Sequence, residues 1–355
     1  MTDISRRNAL AFLGSSVVIS GEASWVGSAR AEIPPNSGSP DLTYVNPVLR
    51  KVFRSMVKAQ VSASEPKLQD WRKASNYVLP FLAQPPVIEL AVPGTKGAPE
   101  VKIYVINSDS GGNPRPAILH THGGGFILGS ARSGVPALQR LAMELDCAIV
   151  TVEYRLAPET PFPGALEDNY AALRWLYKNT GPLGVDPNRI ALMGESAGGG
   201  HAAMLAIAAR DRGEVPVVLQ ALIYPMLDDR TGSSRAVPPH RGEVIWTAQS
   251  NQRGWTALLG KPAGSAQVPY GSVPARVENL KGLPPAFIGV GTIDLFLDED
   301  VDYARRLIDT GVLTDLHLVP GAFHGFELFA PASDIAKQFH SNLVAALHQA
   351  FIVGT

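Results

Sequence analysis

The chain has 355 residues, of which 45% are hydrophobic and 18% charged, with 31 Lys+Arg against 32 Asp+Glu. These values suit one large α/β unit with a sizeable core. The balanced charge, with no dense basic run, excludes nucleic acid and anionic membrane as partners. The one cysteine, Cys147, cannot form an internal disulfide and falls in the apolar run "CAIVTV", where a buried inert thiol is expected.

In chain order, the first feature is "SRRNALAFLGSSVVIS", with Arg6 and Arg7 paired ahead of a moderately apolar stretch. That stretch is shorter than the ~20 residues a membrane helix needs, so no membrane span is expected. "ARA" at 29–31 is a small-x-small cleavage pattern. Ser5, Arg6, Arg7 and Leu10 resemble a twin-arginine export signal, although Ala9 stands where phenylalanine is usual. The expectation is a signal over 1–31, export to the periplasm, and a Pro/Ser/Gly-rich linker over 32–41. Residues 42–83 repeat apolar residues at helical spacing and read as N-terminal cap helices. "PPVIELAVPG" and "VKIYVIN" read as a β-hairpin.

After Pro116 the chain alternates. "AILHTH", "AIVTVEY", "RIALMG", "LQALIYP", "AFIGVG" and "DLHLVP" read as strands, separated by helical stretches. That rhythm implies a mostly parallel central sheet flanked by helices on both faces, within one α/β unit over 84–355. Residues 228–280 break the rhythm and read as an insertion.

Gly194, Ser196 and Gly198 form G-x-S-x-G between a strand and a small-residue helix. This is the context of a nucleophile elbow, where the serine sits on a strained turn and its neighbours must be small. No Gly-Lys-Ser/Thr follows, so the loop is not a phosphate cradle. Upstream, His122-Gly123-Gly124-Gly125 follows a strand. A glycine run leaves backbone N–H groups free to face a cavity, as in the oxyanion loops of lipases and esterases. Gly124, Gly125 and Ala197 are the candidate oxyanion donors, and His122 is read as an orienter of the loop.

"HGGGF", "VEYRLAPETPFPGALED" (152–168) and "GESAGGG" together resemble the hormone-sensitive-lipase group of α/β-hydrolases, which are carboxylesterases. The resemblance runs from about residue 42 to the C-terminus. It implies the α/β-hydrolase fold with a helical cap, no cofactor or metal, and a small-molecule ester as partner. The family often pairs through its last strand and helix, so a homodimer is an open expectation. Glu195 departs from the family, which mostly carries Asp before the serine.

The triad order is Ser, acid, His. Of eight histidines, His324 alone stands in a loop after the final strand, flanked by Gly321 and Gly325, and "HGF" matches the family there. Asp294 follows the strand "AFIGVG" and matches the family's acid, with Asp298 as its rival. Asp298, Glu299 and Asp300 read as first-turn acids of the next helix. Asp228 and Asp229 read as local caps or surface acids, and Glu153-Tyr154-Arg155 as a structural network near the oxyanion loop. Phe126, Trp246 and Trp255 are candidates for a substrate pocket, with simple packing as the competing reading. No His-Glu-x-x-His or Cys/His cluster occurs, so no metal is expected. The expected activity is hydrolysis of short or medium acyl or aryl esters through an acyl-enzyme. Lactone or aryl-amide hydrolysis by the same triad, or a catalytically silent binding protein, are the alternatives.

Overall fold

The computed structural model describes residues 40–61, 67–75, 79–95 and 97–353. The expected signal over 1–31 lies outside these residues, and so does all of the expected linker except 40 and 41. Eight strands form one sheet: β1 (Val87–Val92), β2 (Val101–Ile106), β3 (Arg115–Thr121), β4 (Ala148–Glu153), β5 (Val185–Glu195), β6 (Leu219–Ile223), β7 (Ala286–Gly291) and β8 (Thr314–Val319). Their order across the sheet is β1-β2-β4-β3-β5-β6-β7-β8. β1 pairs antiparallel with β2 and β2 with β4, whereas β4 through β8 run parallel.

Burial explains why the inner strands carry unbroken apolar runs rather than alternation. Every residue of β6 and β7 is buried, because helices cover both faces. One face carries α3 (Ala131–Glu144) and α8 (Asp334–Val353), and α1 (Arg50–Val61) packs its buried residues into the same apolar cluster. The other carries α4 (Gly164–Lys178), α5 (Ala197–Arg212) and α7 (Leu297–Asp309). Cys147 is buried at the start of β4, and burial pushes its thiol up to about 12, so it stays protonated. The order of β3, β4 and β5 places β3 and β5 side by side while the chain between them turns to opposite sides. The carboxyl ends of β3 and β5 are therefore a topological switch point, where loops diverge and a crevice opens.

Two regions flank that crevice. α2 (Leu68–Ser75) sends Arg72 into the loop after β3, where it donates to the Ile127 carbonyl at 2.8 Å and forms a bidentate pair with Glu159. Residues 228–280 contribute no strand to the sheet and hold α6 (Ala248–Leu259).

Several acids depart from expectation. Asp228 and Asp229 are not at the surface: both side chains are buried, Asp229 at 0% exposure. Asp228 pairs with Arg230 at 2.8 Å, and Asp229 pairs with Arg276 at 2.7 Å while accepting from the Gly264 N–H. Glu299 and Asp300 occupy the first turn of α7 but are buried, and burial holds both carboxyls well above the usual range. Asp298, paired with Arg241, is the acid of that turn that reaches solvent. Glu299 accepts instead from the Leu227 and Asp228 N–H groups, tying the chain after β6 to α7.

The Asp229–Arg276 pair joins the two ends of the 228–280 segment. Replacing Arg276 by Met leaves a buried carboxylate without its cation, at a cost of about 3 kcal/mol. Thermal denaturation should report a Tm lower by roughly 5 °C.

Candidate active site

Ser196 is the single residue between β5 and α5, with φ 58° and ψ −123°. A positive φ on a side chain of this kind costs about 1–3 kcal/mol, and the surroundings must hold it. The Ser196 N–H donates to the Ile223 carbonyl at 2.9 Å, and the Ser196 carbonyl accepts from Met226 and Gly200, both at 3.0 Å. The two flanking glycines follow from the same crowding. A Cβ on Gly194 would lie 2.4 Å from the Gly198 carbonyl, and one on Gly198 would lie 2.1 Å from the Thr121 carbonyl. The Thr121 hydroxyl at the end of β3 donates to the Gly198 carbonyl at 2.7 Å, pinning the first turn of α5 to the sheet.

Ser196 Oγ lies 2.9 Å from His324 Nε2, and His324 Nδ1 lies 2.8 Å from Asp294 Oδ2. With Nδ1–H donating to the carboxylate, Nε2 is left as the acceptor for the serine hydroxyl. Asp294 is 0% exposed, and its other oxygen accepts from the Phe296 N–H at 3.0 Å. Asp298, its rival from the sequence, is not part of this chain of bonds. The loops carrying acid and imidazole are stitched together. Thr292 N–H donates to the Val319 carbonyl at 3.0 Å, Ile293 N–H to Ala322 at 3.1 Å, and Gly321 N–H to Thr292 Oγ1 at 2.7 Å. Asn46, ahead of α1, adds two more bonds, its N–H to the Gly321 carbonyl and its amide to the Pro320 carbonyl. The imidazole itself packs against two aromatic rings at steep angles, Tyr224 at 4.6 Å and Phe296 at 5.2 Å.

The loop after β3 supplies the facing wall. Gly124 (φ 132°) and Gly125 (φ 59°) adopt backbone conformations that L side chains avoid. A Cβ on Gly124 would meet the Leu128 carbonyl at 2.1 Å, and one on Gly125 would meet the Trp246 ring at 1.8 Å. The N–H groups of Gly124, Gly125 and Ala197 have no protein acceptor among the described residues. His122 Nδ1–H donates to the Gly123 carbonyl at 2.9 Å, and Tyr154 stacks on the ring while its hydroxyl donates to the His122 carbonyl at 2.6 Å. Burial pushes the His122 imidazole down to about 4, so it is neutral and serves the loop rather than charge. Glu153 accepts from the Ala131 N–H at 3.0 Å, and Arg155 forks onto the buried Asp168 at 2.7 Å. The three residues therefore brace three separate elements around the loop.

The aromatic candidates divide. Phe126 and Trp255 are 1% and 0% exposed and meet edge-to-face at 4.8 Å, so each is packed against the other as the competing reading has it. Trp246 differs, lying over Gly125 and stacking on Trp71 of α2 at 5.8 Å.

Glu195 points back to β3, where its oxygens lie 3.2 and 3.0 Å from His120 Nε2; His120 Nδ1 meets Thr151 Oγ1 at 2.8 Å. Burial works to raise the Glu195 carboxyl, but the His120 imidazole outweighs it and holds the group below its usual range. Among the described residues no group of three or more His, Cys, Asp or Glu side chains is arranged to hold a metal ion. Tyr224, Phe296, His120, Thr292 and Asn46 escaped the sequence reading. Only contacts far apart in the chain give them their places.

A serine elbow at the carboxyl edge of this sheet, with acid and histidine in later loops, defines an α/β-hydrolase. Residues 118–328 match the model of a family described by its alpha/beta hydrolase fold. Esterase LipI of Mycobacterium tuberculosis is 33% identical over 313 residues, covering 85% of this chain and 94% of its own. Carboxylesterase NlhH of Mycobacterium tuberculosis is 31% identical, covering 89% of this chain and 98% of its own. The solved structure of a bacterial heroin esterase superposes with a TM-score of 0.75 at 35% identity, covering 87% of this chain and 98% of that one. The chain belongs to the hormone-sensitive-lipase-like carboxylesterases and is a carboxylic ester hydrolase.

Gly125→Ala forces either the loop or Trp246 to move. We expect kcat to fall about a hundredfold, the loss typical of one misplaced oxyanion donor, in steady-state assays on folded protein.

Proposed function

We propose that the enzyme works by two-step acyl transfer at Ser196. His324 takes the hydroxyl proton as Oγ attacks the ester carbonyl, and Asp294 holds the imidazole in the working tautomer and stabilises its charge. The N–H groups of Gly124, Gly125 and Ala197 receive the oxyanion. The protonated imidazole then gives its proton to the leaving alcohol, and water, activated by the same base, releases the acid. The observation that carries this reading is the continuous chain from Ser196 through His324 to Asp294, at 2.9 and 2.8 Å, beside free loop amides.

Residues 42–83 and 228–280 form the cap in this reading, and Trp71 against Trp246 is where they meet over Gly125. A cap seated that close to the oxyanion loop limits acyl length, which favours short or medium acyl chains and aryl esters over long ones. Export to the periplasm through the Arg6-Arg7 signal belongs to the same proposal. Replacing both arginines by lysine should retain the protein in the cytoplasm, read by cell fractionation.

A chain-length series of aryl esters, run beside lactones and anilides with Ser196→Ala as blank, tests the substrate class. We expect a maximum at short or medium acyl chains and stoichiometric labelling of Ser196 by an organophosphonate. A preference for long chains contradicts the cap, and an unlabelled serine contradicts the mechanism. Because the base must be neutral, kcat/KM should fall on the acid side of the profile. A plateau extending to about pH 4 would remove His324 from the role.

A further inference from the structure

A second hydrogen-bonded pair lies against the catalytic imidazole and has no part in the triad. The chain after His324 makes one helical turn, Phe326–Phe329, and that turn carries Glu327. Tyr224, the residue following β6, donates its hydroxyl to Glu327 Oε1. The other oxygen, Oε2, is buried without a partner. Tyr224 is itself fixed: its φ is 35°, its N–H donates to the Gly289 carbonyl at 2.7 Å, and its ring is stacked on Phe339 of α8. The ring so fixed packs against the His324 imidazole, with centroids 4.6 Å apart, and is one of two aromatic neighbours of that imidazole.

We propose that Glu327, acting through Tyr224, is a positioning residue that fixes the His324 ring and sets the pH at which it works as a base. The inference rests on the esterase mechanism above.

A carboxyl with one oxygen bonded and the other buried dry is poorly solvated as an anion. Burial pushes Glu327 up to about 7, against the opposing pull of the Tyr224 hydrogen bond and His324. Tyr224 stays protonated, because burial holds its hydroxyl well above the ordinary range, so it remains the donor. The titratable groups facing this pair come from four elements. They are His324 on the same loop, Asp294 after β7, and Glu195 at the end of β5 with His120 of β3 behind it. From α8 the Phe339 ring faces Tyr224. Glu327 thus changes charge in the same pH range in which a histidine base does. When ionised it favours imidazolium, which cannot accept the serine proton, so it moves the onset of activity upward and spreads it over a wider range.

The test compares pH profiles of kcat/KM for the wild type, Glu327→Gln, Tyr224→Phe and the double variant, on one short-chain aryl ester. Glu327→Gln keeps an acceptor for Tyr224 and removes the charge. Its kcat at about pH 8 should stay within roughly threefold of wild type while its acid limb moves down by about half a pH unit and sharpens. Tyr224→Phe keeps the ring but cuts the tether, and kcat should fall roughly tenfold with KM unchanged. The double variant should lose no more than Tyr224→Phe alone. An acid limb in Glu327→Gln that coincides with the wild type, or a wild-type kcat in Tyr224→Phe, overturns the proposal. Wild-type turnover in the same series tests the esterase reading separately.

Discussion

The left-handed backbone of Ser196 is the constraint on which the rest of the site depends. A serine at φ 58° between strand and helix projects its hydroxyl clear of the sheet, but the turn is tight enough to bar side chains on both sides. Gly194 and Gly198 follow from that, and so does the closeness of Thr121, whose hydroxyl binds the carbonyl of Gly198. Because β3 and β5 are neighbours, the loop leaving β3 must pass directly over the elbow. Gly123 lies so near Glu195 that an added Cβ would sit 2.9 Å from its carbonyl oxygen. Nucleophile and oxyanion donors are therefore parts of one packed corner.

Carboxylates occupy distinct electrostatic situations around that corner. Asp294 is buried but accepts from the His324 ring and the Phe296 amide, so its charge is served by donors. Glu195 is held below its usual range by His120 despite burial. Burial holds Glu299 and Asp300 well above the usual range, and neither has a comparable cation beside it. The difference is not one of residue type or depth but of what each oxygen meets.

Much of this was legible in the sequence, for a physical reason in each case. Strand and helix alternation sets the sheet, and the glycines around Ser196 and after His122 mark places where backbone must approach backbone. The order of Ser196, Asp294 and His324 pointed to three loops that the structure brings within hydrogen-bond distance. What escaped was anything decided by depth. Asp228 and Asp229 look like surface acids until Arg230 and Arg276 are found beside them. Helical periodicity over 42–83 resolves into two described helices, α1 and α2, with the chain around Leu82 clamped by the buried Gln139. That clamp is a contact between residues 57 positions apart, which no local pattern encodes.

The contact between Gly125 and Trp246 has a consequence for how such enzymes can be altered. The indole fills the space that a Cβ at position 125 would need, and the same indole stacks on Trp71. Parts of the chain more than 100 residues apart thus share one steric boundary with the catalytic loop. Chimeras that graft the 228–280 segment of a relative onto this scaffold would inherit a different neighbour for the loop amides. Recombination that respects only sequence boundaries would for that reason cut through the joint these parts share.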